Sequence, residues 1–155
     1  MSTLARTQEV VVDASLVAMW VLPEPLTTFA LALATDWARV NVQAIAPCFM
    51  LAEVTSAIYK RVRRGELDLP SADEALDIVL GFGVRLTEEP DLHRRALGLA
   101  YHNDRPSPYD AHYLALAERH HCELWTGDER LYNAVRQRIP WIRWIGSYSP
   151  ASSER

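Results

Sequence analysis

Four acidic residues stand where a charged side chain has to be explained. Asp13 closes the run Glu9-Val10-Val11-Val12-Asp13. A carboxylate directly after three valines must be hydrogen-bonded, paired or bound to metal. Capping the next helix is the competing role, and Ser15 offers an alternative cap that would leave Asp13 free. Glu53 lies in FMLAEVTSAIYK, beside the apolar stripe of Met50, Leu51, Val54, Ala57 and Ile58. It reads equally well as a boundary glutamate turned to solvent. Asp110, in SPYDAHYLALAE, heads a face carrying Tyr113, Leu114 and Ala117. The alternative there is a capping box with Ser107 and a first-turn acid that suits the helix dipole. Asp128, in ELWTGDERL, sits between a strand and a helix, with Thr126 as a rival cap.

The elements that position these residues alternate in type. Strands are predicted at 9–13, 43–46, 84–86, 123–126 and 141–145. Helices are predicted at 15–22, 25–39, 47–64, 71–81, 91–101, 107–121 and 129–138. Gly65 ends the third helix, and Ser71 with Glu74 forms a capping box for the fourth. The alternation predicts an α/β fold, a three-layer α/β/α sandwich around a mostly parallel sheet. Ligands in such folds bind outside the carboxyl ends of the strands. Three of the four acids fall at those ends or at helix starts, and Glu53 is on the helix after the second strand. Carboxylates gathered there would repel one another by about 4 kcal/mol per pair at ~4 Å and an effective dielectric of ~20. A hard divalent cation removes that cost and takes oxygen ligands, which points to Mg²⁺ or Mn²⁺. Such an ion lowers the pKa of a water and stabilises phosphoryl charge, chemistry suited to phosphodiester hydrolysis.

The rest of the chain sets bounds on this reading. Its 155 residues suggest one domain over 1–150, with 151–155 as a disordered tail. No apolar run approaches the ~18 residues of a membrane span, and no signal-peptide stretch opens the sequence, so a cytoplasmic location is expected. Cys48 and Cys122 make neither a disulfide framework nor a zinc quartet. The net charge of −4 gives no bulk attraction for nucleic acid, but Lys60-Arg61-Val62-Arg63-Arg64 concentrates four of the sixteen basic residues. That cluster is either a solvated helix end favoured by the dipole or a patch for phosphates. The five histidines show no metal-ligand spacing such as HExxH. Trp141 and Trp144 are expected to pack rather than to stack on bases.

Four segments resemble the PIN-domain ribonucleases, and among them the VapC-type toxins of toxin–antitoxin pairs: VVVDAS at Asp13, LAEV at Glu53, SPYDAHYLALAE at Asp110 and ELWTGDERLYNAV at Asp128. The resemblance implies an α/β/α fold and a Mg²⁺- or Mn²⁺-dependent endoribonuclease. Its acidic quartet maps onto Asp13, Glu53, Asp110 and Asp128, with Asp13 and Asp110 as principal metal ligands. Its hydroxyl-bearing neighbours map onto Ser15 and Thr126. A common family version has Thr-Asn after the first aspartate, where this chain has Ala14-Ser15. Arg61, Arg63 and Arg64 are the candidates for holding the RNA backbone. The resemblance further implies a VapB-like antitoxin and a homodimer.

Other functions remain open at this point. A housekeeping PIN nuclease or a non-catalytic PIN-like RNA-binding protein would share the fold. A dehalogenase-type phosphatase wants an acid where Ser15 stands, and it and the receiver domains want a lysine near a later strand end. The single lysine, Lys60, is instead on the Glu53 helix. A metal-free ribonuclease would use His, Arg or Tyr and leave a cyclic phosphate.

Overall fold

A computed structural model describes residues 7–150. The tail predicted at 151–155 lies outside the described residues. The valine run forms β1 (Glu9–Val12), and Val10, Val11 and Val12 are all buried. Both of its edges are paired, and both faces are covered, which is why a run without polar alternation is stable there. On one side β1 lies parallel to β2 (Gln43–Pro47), with Val11 opposite Ile45. On the other it lies parallel to β4 (Leu124–Thr126), with Val12 opposite Trp125. β3 (Arg85–Thr87) pairs with β2, and β5 (Ile142–Trp144) with β4, both parallel. The five-stranded sheet has the order β3-β2-β1-β4-β5, and every pairing is parallel.

That order contains one reversal. The chain runs outward from β1 to β3 and then returns to β1's other side for β4 and β5. With right-handed crossovers, the reversal divides the helices between the two faces. One layer holds α1 (Ala14–Met19), α2 (Thr27–Arg39), α3 (Met50–Arg63) and α4 (Leu69–Gly81). The other holds α5 (Leu92–His102), α6 (Tyr109–Arg119) and α7 (Glu129–Val135). α1 packs on α2 and α3, α3 on α4, and α5 on α6, while α6 also covers β1, β2 and β4. α6 is accordingly apolar nearly all round: Ala111, Tyr113, Leu114, Ala115, Leu116 and Ala117 are buried. Most apolar residues of the early helices go into the core, among them Leu16, Trp20, Leu22 and Leu33, while Phe29 and Leu31 remain exposed. Among the described residues no helix is long and apolar enough to cross a membrane.

Two helices lack the capping box that the sequence offers, and α2 and α3 begin two and three residues later than expected, at Thr27 and Met50, with Pro47 closing β2 instead. α4 begins at Leu69, where Asp68 accepts a hydrogen bond from the Ser71 N–H at 2.8 Å. Aspartate caps as well as serine does, and this start puts Pro70 in the first turn, where its missing N–H is harmless. α6 begins at Tyr109, and no side chain caps it. The residue before a proline is pushed out of the helical region, so Ser107, preceding Pro108, cannot open the helix or complete a capping box.

Three helix ends set the direction of the chain beyond them. Gly65, at φ +74°, closes α3 as expected. The same turn ends α5 without glycine: Asp104 takes φ +50°, its N–H donates to the Tyr101 carbonyl, and the Arg105 N–H donates to the Ala100 carbonyl. Aspartate tolerates this left-handed conformation better than most residues. His121, at φ +50°, closes α6 in the same way and aims the chain into β4.

At Gly127, just past β4, α1 comes too close for a side chain. A Cβ there would stand 2.7 Å from Met19 Cε and 3.1 Å from the Ser15 carbonyl oxygen. Gly127→Ala should therefore lower stability by about 1–3 kcal/mol, as overpacking does. Urea denaturation would measure it, and an unchanged midpoint would show that α1 has slack against β4.

Candidate active site

The crevice between β1 and β4 is the point where the strand order reverses, and Asp13 and Thr126 face each other across it. Asp13 is only 5% exposed. It is the N-cap of α1: its Oδ1 accepts from the Leu16 N–H at 3.0 Å and from the Ser15 hydroxyl at 2.6 Å. Its Oδ2 accepts from the Thr126 hydroxyl. Ser15 does not replace Asp13 as cap, contrary to the sequence alternative; its hydroxyl also accepts from the Gly127 N–H at 2.9 Å. Thr126, fully buried, accepts in turn from the Asp128 N–H at 2.9 Å. Both hydroxyls thus donate to the carboxylate while their lone pairs are filled by backbone N–H groups. Burial pushes the Asp13 carboxyl up to about 6 despite these donors, and the neighbouring Asp110 charge pushes in the same direction.

Glu53 reaches the same region from the first turn of α3. It is half-buried, and its Oε1 accepts from the Tyr113 hydroxyl at 2.6 Å. Burial raises its proton affinity, the Tyr113 hydrogen bond opposes that, and Asp110 raises it further. Tyr113 is a site residue that the sequence does not disclose, since its spacing marks only the buried face of α6. The phenol is 2% exposed, and burial followed by the Glu53 contact raises its pKa, so it stays a donor. Phe49 packs edge-on against it with ring centroids 5.4 Å apart.

Asp110 lies in the first turn of α6, where its Oδ2 accepts from Arg105 Nη2 at 3.1 Å. Arg105 is the second residue that sequence reading missed. Asp128 caps α7, with Oδ1 accepting from the Arg130 and Leu131 N–H groups at 2.9 and 3.1 Å. The capping alternative is therefore its observed local role, and its link to Asp13 runs through its backbone and Thr126. Asp13, Asp110 and Glu53 share one electrostatic neighbourhood, whereas the Asp128 carboxylate is turned into its own helix. Among the described residues no three His, Cys, Asp or Glu side chains stand close enough to hold a metal ion together.

The basic cluster is divided. Lys60, Arg61 and Arg64 line a groove of about 370 Å³ that also contains Glu53, Ser56 and Glu24; Arg63 does not line it. Arg61 is engaged with Glu24 and Glu66, both at 3.3 Å.

The sequence pattern of the PIN domain matches residues 10–137, which contain every residue of this site. The chain belongs to the PIN-domain family. No curated protein matches it in sequence. In structure it is similar to PAE2754 from Pyrobaculum aerophilum, with a TM-score of 0.65, 23% identity, and coverage of 92% of this chain and 93% of that one. It is also similar to VapC20 of Mycobacterium tuberculosis, a toxin that cleaves the sarcin–ricin loop. That match has a TM-score of 0.62, 22% identity, and coverage of 81% and 94%. At these identities the two structures speak to the fold.

The PIN-domain crevice is distinct from a cavity of about 670 Å³ at the amino ends of β1 and β4, lined by Gln8, Trp37, His120 and Glu123. No histidine is hydrogen-bonded to Asp13, Glu53 or Asp110 among the described residues, although the charge of His112 acts on Glu53 and lowers its proton affinity. His112 bonds His93 and meets Phe49 edge-on, and His120 sits between Glu9 and Glu89. Trp141 and Trp144 pack, the former donating to the Leu114 carbonyl and the latter stacking on Tyr132.

The Asp13 geometry predicts an unusual pH response. The folded-state pKa of about 6 exceeds the ordinary 3.8, so between those values the folded protein holds the proton more tightly than the unfolded chain. The resulting stability is fully present below pH ~4 and is lost as pH rises through ~6, a loss of about 3 kcal/mol. Asp13→Asn should remove this component and make the metal-free protein more stable than wild type at pH 7.5, with little advantage at pH 4. Denaturation in chelator at both pH values tests it. An equal difference at the two would show that Asp13 is not charged against a burial penalty.

Proposed function

We propose that this PIN domain is a Mg²⁺- or Mn²⁺-dependent endoribonuclease that acts as the toxin of a VapBC-type pair. The observation that carries the reading is three carboxylates sharing the crevice at the sheet's reversal point, one of them buried without a cationic partner. The donor set is all hard oxygen, which fits Mg²⁺. This ion binds through one or two carboxylates and keeps several waters, so three-fold contact with the protein is not required. Asp13 and Asp110 would hold it, with Glu53 and Asp128 acting directly or through water. When bound, the cation lowers the pKa of a water and neutralises charge on the phosphoryl group.

The chain's own residues supply the rest. Ser15 and Thr126 fix the Asp13 carboxylate in one orientation. Glu53, steadied by Tyr113 and raised in proton affinity by burial, is suited to accept a proton from the attacking water. In-line attack on phosphorus leaves a 5′-phosphate and a 3′-hydroxyl. Lys60, Arg61 and Arg64 offer phosphate contacts along the groove that starts at Glu53. Arg63, outside that groove, is the weakest of the basic candidates. The sarcin–ricin-loop activity of VapC20 supports RNA as the substrate class and toxicity as the biological role.

Asp13→Asn and Asp110→Asn should each lower RNA cleavage at least ~100-fold while the fold persists, since an amide removes the charge that attracts the cation. Mn²⁺ at about a hundredfold excess over Kd should stabilise wild type by ~2.7 kcal/mol, or roughly 5–10 °C, and Asp13→Asn should blunt that rise. Sequenced RNA ends carrying cyclic phosphate, or full activity in either folded variant, would overturn the metal mechanism.

The toxin role implies a cytoplasmic partner, a VapB-like antitoxin encoded beside this chain, and a homodimer of the toxin alone. A disordered segment folding onto apolar surface, with a cationic side chain directed at the carboxylates, would recognise such a site. Co-expression with the adjacent small gene should yield a stable complex with suppressed nuclease activity. Failure of that product to bind or to relieve toxicity would favour a housekeeping PIN nuclease instead.

A further inference from the structure

Arg105 is held beside the acidic crevice by the local fold. Its backbone is fixed by the turn ending α5, where the Arg105 N–H donates to the Ala100 carbonyl at 2.9 Å. Pro106 then prevents the helix from continuing. From there the side chain, 13% exposed, reaches the first turn of α6 and places Nη2 3.1 Å from Asp110 Oδ2. Arg105 Nε is buried with no acceptor. An arginine serving to staple two helices would have its fork of donors matched to carbonyls or to both carboxylate oxygens. Here one donor meets one carboxylate oxygen, and a second donor is left without a partner. The charge of Asp110 therefore accounts for the guanidinium's position. Arg105 is also the one basic side chain bonded to any of Asp13, Glu53 and Asp110 among the described residues.

We propose that Arg105 is a resident counter-cation of Asp110 that a divalent ion must displace, and that it thereby sets the metal affinity of the site. The inference rests on the metal-dependent reading above. A monovalent guanidinium and a divalent ion compete for the same carboxylate oxygen, and each repels the other while both are near it. In the metal-free protein Arg105 offsets the repulsion among the three acids. With metal present the same charge opposes binding, and because it is largely buried, salt screens it little. The arginine thus trades metal affinity for stability of the metal-free fold, a positioning residue acting on Asp110.

Isothermal titration with Mn²⁺, using chelator-treated protein, separates the possibilities. Arg105→Gln should bind Mn²⁺ about tenfold more tightly than wild type, with Arg105→Lys close to wild type. The metal-free melting temperature of Arg105→Gln should fall, and its rise on adding Mn²⁺ should exceed that of wild type. In an Asp110→Asn background, Arg105→Gln should tighten Mn²⁺ binding by less than it does in wild type, because competition for that carboxylate is gone and only the direct repulsion remains. If wild type binds Mn²⁺ and Arg105→Gln binds it equally or more weakly, Arg105 is a structural or ligand-orienting group and this inference alone fails. If wild type binds no Mn²⁺, the metal-dependent reading fails and takes this inference with it.

Discussion

A carboxylate buried at the end of β1, hydrogen-bonded but without a cation, is the constraint around which the fold is arranged. Asp13 needs donors from two directions. Leu16 and Ser15 supply them from the first turn of α1, and Thr126 from the end of β4. The second direction exists only because β4 returns to lie beside β1. That return requires the long crossover through α5 and α6, and the same crossover delivers Asp110 and Tyr113. Strand order, the burial of α6 and the composition of the crevice therefore follow from one topological step. The charge opposes folding near neutral pH, so stability does not explain its place in the core, and on the proposed metal-dependent reading ligand binding does.

The four acids form a graded set. Asp13 is the most deeply buried and has only neutral partners. Glu53 is half-buried and answers to a phenol. Asp110 already has a guanidinium at 3.1 Å. Asp128 spends its carboxylate on two N–H groups of α7. An approaching cation therefore meets groups of different availability. The Asp13 and Glu53 carboxylates offer lone pairs without having to give up an ion pair. Asp110 must surrender one, and Asp128 must release a helix cap, a change that costs about 1 kcal/mol. On the proposed reading, this order of availability puts Asp13 at the centre and Asp128 at the margin.

Much of this was legible in the residues. The valine run, the proline and glycine breaks and the alternation of element types define a parallel α/β sheet, because burial on both faces leaves a recognisable signature. The positions of Asp13 and Glu53 follow from the same patterns. Tyr113 and Arg105 were not legible, for different reasons. Tyr113 has the spacing of a core residue, and its core packing is real; only the hydroxyl, meeting Glu53 sixty positions away in sequence, makes it more than that. Arg105 depends on Asp104 adopting φ +50°, a choice that glycine would have announced and aspartate does not. Asp128 shows the converse, since its competing cap role is satisfied in the structure, and capping does not of itself exclude ligation through water.

An acidic site proposed to act on a polyanion faces an electrostatic difficulty, and one helix carries both signs of charge that bear on it. α3 carries Glu53 in its first turn and Lys60, Arg61 and Arg63 in its last, each in the half that the helix dipole favours for its sign. Glu53, Ser56, Ala57, Lys60, Arg61 and Arg64 recur at helical spacing and line one groove. Eleven residues at ~1.5 Å each put the Arg64 end about 16 Å from the Glu53 end. The two signs are thus separated by more than a Debye length at physiological salt, ~8 Å, so each acts locally. On the proposed reading, repulsion at the crevice would fall on the one phosphate group that a cation neutralises, while phosphates farther along would meet the basic end. The chain's net charge of −4 is consequently a poor guide to its partner. On the proposed nuclease reading, the arrangement along α3 would orient a nucleic-acid backbone, because the groove runs from Glu53 toward the C-terminal end of the helix.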